Sequence, residues 1–122
     1  MNFQKVVIEL QKLYPGKSII KIPKENPLEI ICEVEPSSNI LGYSLAVAII
    51  DKSAPHKHLK STENYKVIKG KLNLFIENQK IVLKQEDSFL VKPNKIHWAE
   101  GNETWIEVKS TPGWTSQDHI LK

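Results

Sequence analysis

His56 and His58 stand two residues apart, Glu63 follows them closely, and His97 comes later in the chain. On a β-strand, residues i and i+2 project from one face, so His56 and His58 can present both imidazoles to the same space. A strand that returns beside them can add Glu63 and then His97. Three imidazoles and a carboxylate form a mixed nitrogen and oxygen donor set, suited to one divalent transition metal ion of the series Mn, Fe, Co, Ni, Cu or Zn. Such a set leaves positions for water or substrate if the ion is octahedral. Taken alone, the His-x-His spacing beside Pro55 is more often an exposed loop, with Glu63 an ordinary surface carboxylate.

If Glu63 points inward, strand alternation sends Tyr65 and Val67 the same way and turns Asn64, Lys66 and Ile68 outward. The Tyr65 phenol then either donates a hydrogen bond to Glu63 or to a bound substrate, as the candidate catalytic group, or is a core tyrosine. Asp118 and His119 form an adjacent pair near the end of the sequence. Neighbours on a helical turn do not face one another, so this pair reads as structural or surface, or else as a lid over the pocket.

The elements that must hold these side chains begin with an amphipathic helix. Phe3, Val6, Val7, Leu10 and Leu13 recur at helical spacing, and Tyr14-Pro15-Gly16 ends the run. Short β-type segments then alternate with turn signals at 18–22, 28–35, 43–50, 64–69, 71–77, 80–84, 88–92, 96–100 and 104–110. That density of strands predicts a sandwich or barrel. Breakers fall at Pro23, Pro27, Pro36-Ser37-Ser38-Asn39, Pro55, Gly70, Glu77-Asn78-Gln79, Pro93-Asn94 and Gly101-Asn102, none of them a domain linker. By alternation Leu72, Leu74, Ile76, Phe89, Val91, Ile106 and Val108 face inward, and Cys32 belongs to an apolar row with Ile30 and Val34. Segments 43–50 and 104–110 are apolar on both faces and need a cover, supplied by the helix, a second subunit, or both. Thr115 with Asp118 three residues on has the pattern of a capping box for one helical turn.

The sequence His56-x-His58, four residues, Glu63, six residues, Gly70 resembles the first motif of the cupin superfamily. The segment from Glu86-Asp87 through an apolar strand, Pro93-Asn94 and His97 resembles the second, with a short intermotif hairpin like that of small microbial cupins. The resemblance covers about residues 43–110. It implies an all-β fold, the cupin double-stranded β-helix or jelly-roll barrel with a short N-terminal helix. One domain over 1–122 is expected, with the helix at 1–14, the barrel at 18–110 and a tail at 111–122. The chain departs from the motifs at Ile50 and Glu86, where the family has glycines, and at Lys92, Asn94 and Gly101. Asn94 tolerates the left-handed backbone that the missing turn glycine would supply.

The chain has 122 residues, 40% hydrophobic and 25% charged, which fits a soluble globular domain rather than a disordered, collagen-like or disulfide-built one. Its longest apolar run, 45–50, is far too short to span a membrane, and a cytoplasmic, membrane-free protein is expected. All 17 basic residues are scattered lysines, which argues against nucleic acid as a partner. Within the family the likeness is to phosphomannose-isomerase-like cupins. It implies a metal-dependent enzyme acting on a small polar metabolite, isomerase- or epimerase-like or dioxygenase-like, or else a non-catalytic sugar-binding module of the same fold. A homodimer is expected, because segment 43–50, Trp98 and Trp105 offer more apolar surface than a small barrel covers by itself.

Overall fold

The computed structural model describes residues 1–37 and 42–122, so the expected turn at Ser38-Asn39 lies outside the described residues. Helix α1 spans Phe3–Leu13, opened by Asn2, whose side chain accepts from the Lys5 N–H. The strands follow as β1 Ser18–Ile22, β2 Glu29–Glu35, β3 Ser44–Lys52, β4 His56–His58, β5 Thr62–Lys69, β6 Leu72–Ile76, β7 Gln79–Leu83, β8 Ser88–Val91, β9 His97–Thr111 and β10 His119–Leu121. All the recorded pairings are antiparallel. The sheet path runs β1-β2-β3-β9-β4-β10, while β5 joins β8 to β9 and β6 joins β7 to β9. The result is the expected curled all-β barrel with one short helix.

The two expected segments at 96–100 and 104–110 are one continuous strand, β9. Its first part pairs with β6 (Leu72 opposite Gly101, Ile76 opposite His97) and its second with β3 and β5. Gly101 and Asn102 therefore mark a bend inside a strand, not a turn between two. Registers shift on β3 between Ile50 and Lys52 and on β5 between Val67 and Lys69, and Glu103 takes a left-handed φ of 45°. A Cβ at Gly101 would run into the Thr104 hydroxyl, so the close approach at this bend requires glycine.

Two apolar layers form on opposite faces of the same strands. Inside the barrel lie Ala48, Ile50, Tyr65, Val67, Leu72, Leu74, Leu83, Val91, Ala99 and Ile106, with Ile76, Phe89 and Val108 against them. Every inward position expected from alternation is there. Outside, Val6 and Leu10 of α1 cover Ile30, Cys32, Val47, Ile49 and Trp105. The helix of the same chain thus supplies the cover for Trp105 and for that face of β3. Leu13, expected on this apolar face, is 60% exposed. Trp98 points outward and stacks on Phe75, ring centroids 5.0 Å apart.

The drifted motif positions keep their backbone. Asn94 has φ 67° and Glu86 has φ 75°, both left-handed. For Glu86 that conformation costs roughly 1–2 kcal/mol, which glycine would avoid while adding freedom to the unfolded chain. Its surface pair with Lys66, at 3.7 Å, offsets little of this. Glu86→Gly is therefore expected to stabilise the protein by about 1 kcal/mol in chemical denaturation. An unchanged or lower midpoint would contradict the strain argument.

Candidate metal centre

Strand β4 places His56 and His58 on one face, β5 contributes Glu63, and the first residue of β9 is His97, whose Cα pairs with that of His56. One ligand atom from each of the four lies within 4.8 Å of the others, and all four residues are buried. Glu63 Oε1 is the hub: His97 Nε2 is 3.0 Å away, His58 Nε2 3.1 Å and His56 Nε2 4.0 Å. The other oxygen, Oε2, accepts from the Ser110 hydroxyl at 3.5 Å.

The backbone fixes two of the rings. His56 Nδ1 lies 2.9 Å from the Ala54 carbonyl and His97 Nδ1 lies 2.8 Å from the Lys95 carbonyl. A carbonyl only accepts, so each Nδ1 carries the hydrogen, and in the neutral ring Nε2 turns a lone pair toward the centre. Burial and the neighbouring His97 push the His56 imidazole down to about 4, so it is neutral at pH 7. His58 is the counterpart. Burial lowers its basicity, but Glu63 and Asp118 outweigh that and raise it above its usual value. His58 Nε2 faces Glu63 Oε1 at 3.1 Å without the geometry of a hydrogen bond and Nδ1 has no hydrogen-bond partner, although both atoms are buried. Glu63, though buried, is held far below the usual carboxylate range by His58 and His97. Lone pairs facing a carboxylate oxygen, beside an orphaned imidazole, fit a divalent cation: it would satisfy the three rings and the carboxylate together.

Tyr65 is buried in the barrel, its ring edge-on to His97 with centroids 5.9 Å apart. Among the described residues no hydrogen bond joins its phenol to Glu63. Burial and the charges of Glu63 and Glu29 hold it protonated, well above its ordinary value.

The tail corrects the sequence reading in two ways. Thr115 precedes a single 3-10 turn, Ser116–Asp118, but its side chain makes no capping bond. Asp118 turns away from that turn: Oδ1 accepts from the Leu59 and Lys60 N–H groups, both at 2.9 Å, and Oδ2 accepts from the Ser61 N–H at 3.0 Å. This carboxylate holds the chain between two of the candidate ligands, and its Oδ2 is 4.0 Å from His58 Nδ1. His119 lies outside the turn, opening β10, where it pairs across from His58. Its ring stacks on His56 with centroids 4.5 Å apart, and Trp114 Nε1 donates to its Nδ1 at 3.2 Å. Of the readings the sequence left open, structural, surface or lid, the packing on His56 places His119 against the cluster. Nothing in the local sequence signals a contact made across 57 to 59 positions.

The architecture is a curled antiparallel barrel with a buried His-His-Glu-His cluster that could hold a metal ion. The family model described as "Cupin domain" matches residues 47–109, and the chain belongs to that family. No curated protein matches the sequence. Among solved structures, Pac13, a nucleoside dehydratase, superposes with a TM-score of 0.76 at 11% identity, covering 89% of this chain and 87% of that one. KdgF from Halomonas sp. gives 0.65 at 16%, covering 78% and 87%. A cupin-2 domain from Rhodospirillum rubrum gives 0.69 at 12%, covering 86% and 80%. Among the described residues no helix is long and apolar enough to cross a membrane.

Proposed function

We propose that the chain is a metal-dependent cupin enzyme acting on a small polar metabolite in the cytoplasm, with His56, His58, Glu63 and His97 as the ligands of one divalent transition metal ion. The convergence of three imidazoles on Glu63 inside an apolar barrel carries this reading. When bound, such an ion supplies Lewis-acid stabilisation of a developing oxyanion or, as ferrous iron, a centre for oxygen. The chain's own part is to exclude water with the apolar lining, to orient His56 and His97 through the Ala54 and Lys95 carbonyls, and to offer the Tyr65 phenol as a hydrogen-bond donor. Isomerase- or epimerase-like chemistry on a sugar ranks first and dioxygenation second. The likeness to a nucleoside dehydratase adds elimination of water to the reactions to be screened.

The test is elemental analysis of untagged protein grown with ample Mn, Fe, Ni and Zn, followed by thermal-shift and turnover screens of sugars, organic acids, thiols and nucleosides. No metal and no shift on adding metal would end the proposal. A ligand bound tightly and recovered chemically unchanged would make the chain a binding module instead. Tyr65→Phe is expected to leave metal content unchanged and lower turnover by about tenfold or more. In a binding module the same change moves only ligand affinity.

A homodimer remains our proposal for the assembly, on altered grounds. Trp105 is covered within the chain, but the edge strand β1 exposes Ile20 and Ile22, and Leu28 beside it is exposed too. Light scattering should report twice 14.0 kDa at micromolar concentration. A 14.0 kDa particle contradicts it.

A further inference from the structure

The segment that follows β9 is fastened to the barrel at three points. The Trp114 N–H donates to the Ser44 hydroxyl at 2.8 Å, Asp118 holds the backbone of Leu59, Lys60 and Ser61, and the Lys122 N–H donates to the Pro55 carbonyl at 3.1 Å. Between these anchors β10 sets His119 opposite His58. Its ring lies almost parallel to that of His56, with 19° between the planes, and its centroid is 5.3 Å from that of His58. His119 is thus a fourth imidazole at the cluster, outside the four converging donors.

The hydrogen of this ring sits on the opposite nitrogen from those of His56 and His97. An indole N–H only donates, so the bond from Trp114 Nε1 at 3.2 Å makes His119 Nδ1 the acceptor and leaves the ring hydrogen on Nε2. In His56 and His97 the backbone carbonyls fix the reverse, with Nδ1–H and a lone pair on Nε2. The two nitrogens of an imidazole diverge, so the His119 Nε2–H is turned away from Trp114, which lies at the surface, 39% exposed. Among the described residues this N–H makes no hydrogen bond, and the ring is only partly covered, so a solute can reach it. A ring needed for packing alone has no use for a fixed tautomer, whereas a donor does.

We propose that His119 is a ligand-binding donor of this site, its Nε2–H bonding to an oxygen of a small molecule held at the His56, His58, Glu63 and His97 cluster. The inference rests on the metal reading above and narrows the class of molecule that fits. Three lone pairs and a carboxylate call for a cation, while a neutral N–H on a ring stacked against His56 calls for a lone pair. The matching solute offers two neighbouring acceptor oxygens, one for the ion and one for His119: a hydroxy acid, a hydroxy aldehyde or ketone, or the vicinal diol of a sugar. A thiol or amine without a second acceptor leaves the N–H unpaired on binding and is disfavoured. Trp114 is the positioning residue, because its indole decides which nitrogen of His119 carries the hydrogen.

The experiment titrates Co²⁺-loaded protein with acetohydroxamate, whose two oxygens bind a metal and accept hydrogen bonds, and reads the visible absorption of the cobalt. His119→Phe keeps a flat ring on His56 and loses the N–H, while His119→Gln loses the ring and can place an amide N–H near the same point. With Co²⁺ stoichiometry unchanged in both, His119→Phe is expected to weaken hydroxamate binding by about tenfold, and His119→Gln to stay within about threefold of wild type. Trp114→Phe, which frees the tautomer, should fall between them. In metal-free protein, ¹⁵N NMR of labelled histidines should place the His119 hydrogen on Nε2, its signals being those absent from His119→Gln. Undiminished binding in His119→Phe overturns the proposal, as does a hydrogen found on Nδ1. Equal loss in both variants, or loss of Co²⁺ from either, assigns the ring to packing and overturns it too. Wild type that takes up no Co²⁺ ends the metal reading and this proposal with it, whereas failure with Co²⁺ in place ends this proposal alone.

Discussion

His58→Ala is expected to give a folded protein that takes up no metal. His58 stands 3.1 Å from the Glu63 hub oxygen; the variant loses that contact, while His97 keeps its own contact to the same oxygen at 3.0 Å. The liganded protein loses one of four donors. Outer partners of metal ligands are already worth 10–100-fold in affinity, so removal of a ligand should cost more than about 100-fold. In wild type, free metal at a thousand times Kd stabilises by about 4 kcal/mol, a rise in Tm on the order of 10–15 °C for a domain of this size. The variant should show no such rise. Because His58 is more basic than usual, metal and proton compete there, and wild-type affinity should fall as the pH is lowered. Stoichiometric metal in His58→Ala by elemental analysis would remove His58 from the ligand set. His119→Ala, outside the four, should keep its metal.

Asp118→Ala is expected to cost about 2–4 kcal/mol of stability and about 10–100-fold in metal affinity. The substitution leaves the Leu59, Lys60 and Ser61 N–H groups without their acceptor. Leu59 and Lys60 lie at the surface, where water can replace part of the loss, but Ser61 is buried. The loosened segment joins His58 to Glu63, so the change reaches the ligands without touching the cluster. Asp118→Asn should fall between the two, since its remaining oxygen can still accept from Leu59 and Lys60 while its amide cannot accept from Ser61. Urea denaturation and metal titration of the three proteins check this. Equal stability and affinity for Asp118→Ala would show that the tail does not support the site.

The ligand cluster was legible because it is written in local spacing: His56 and His58 share a strand face, and Glu63, Tyr65 and Val67 follow a period of two that the fold preserves. The inward packing of Ile31 is hidden by the same rule. The row Glu29, Ile31, Glu33, Glu35 looks like the wet face of a strand whose dry face is Ile30, Cys32 and Val34, yet β2 has an apolar layer on each side. For Trp105 the sequence leaves the cover open between the helix, a second subunit or both, because it shows how apolar a face is and not what covers it, and here the covering helix lies about a hundred residues away. Asp118 and His119 reach the site through pairing of β10 with β4, a contact set by topology rather than by composition.

Strand β9 begins at a candidate ligand and ends beside Glu63, having changed partners from β6 to β3 and β5 on the way. The sheet cannot open while this strand stays in place, so the barrel has no obvious partial unfolding that spares the cluster. Amide hydrogen exchange along β9 should therefore follow global unfolding, and an ion bound at His97 should slow exchange at the far end of the strand by the same factor as at the near end.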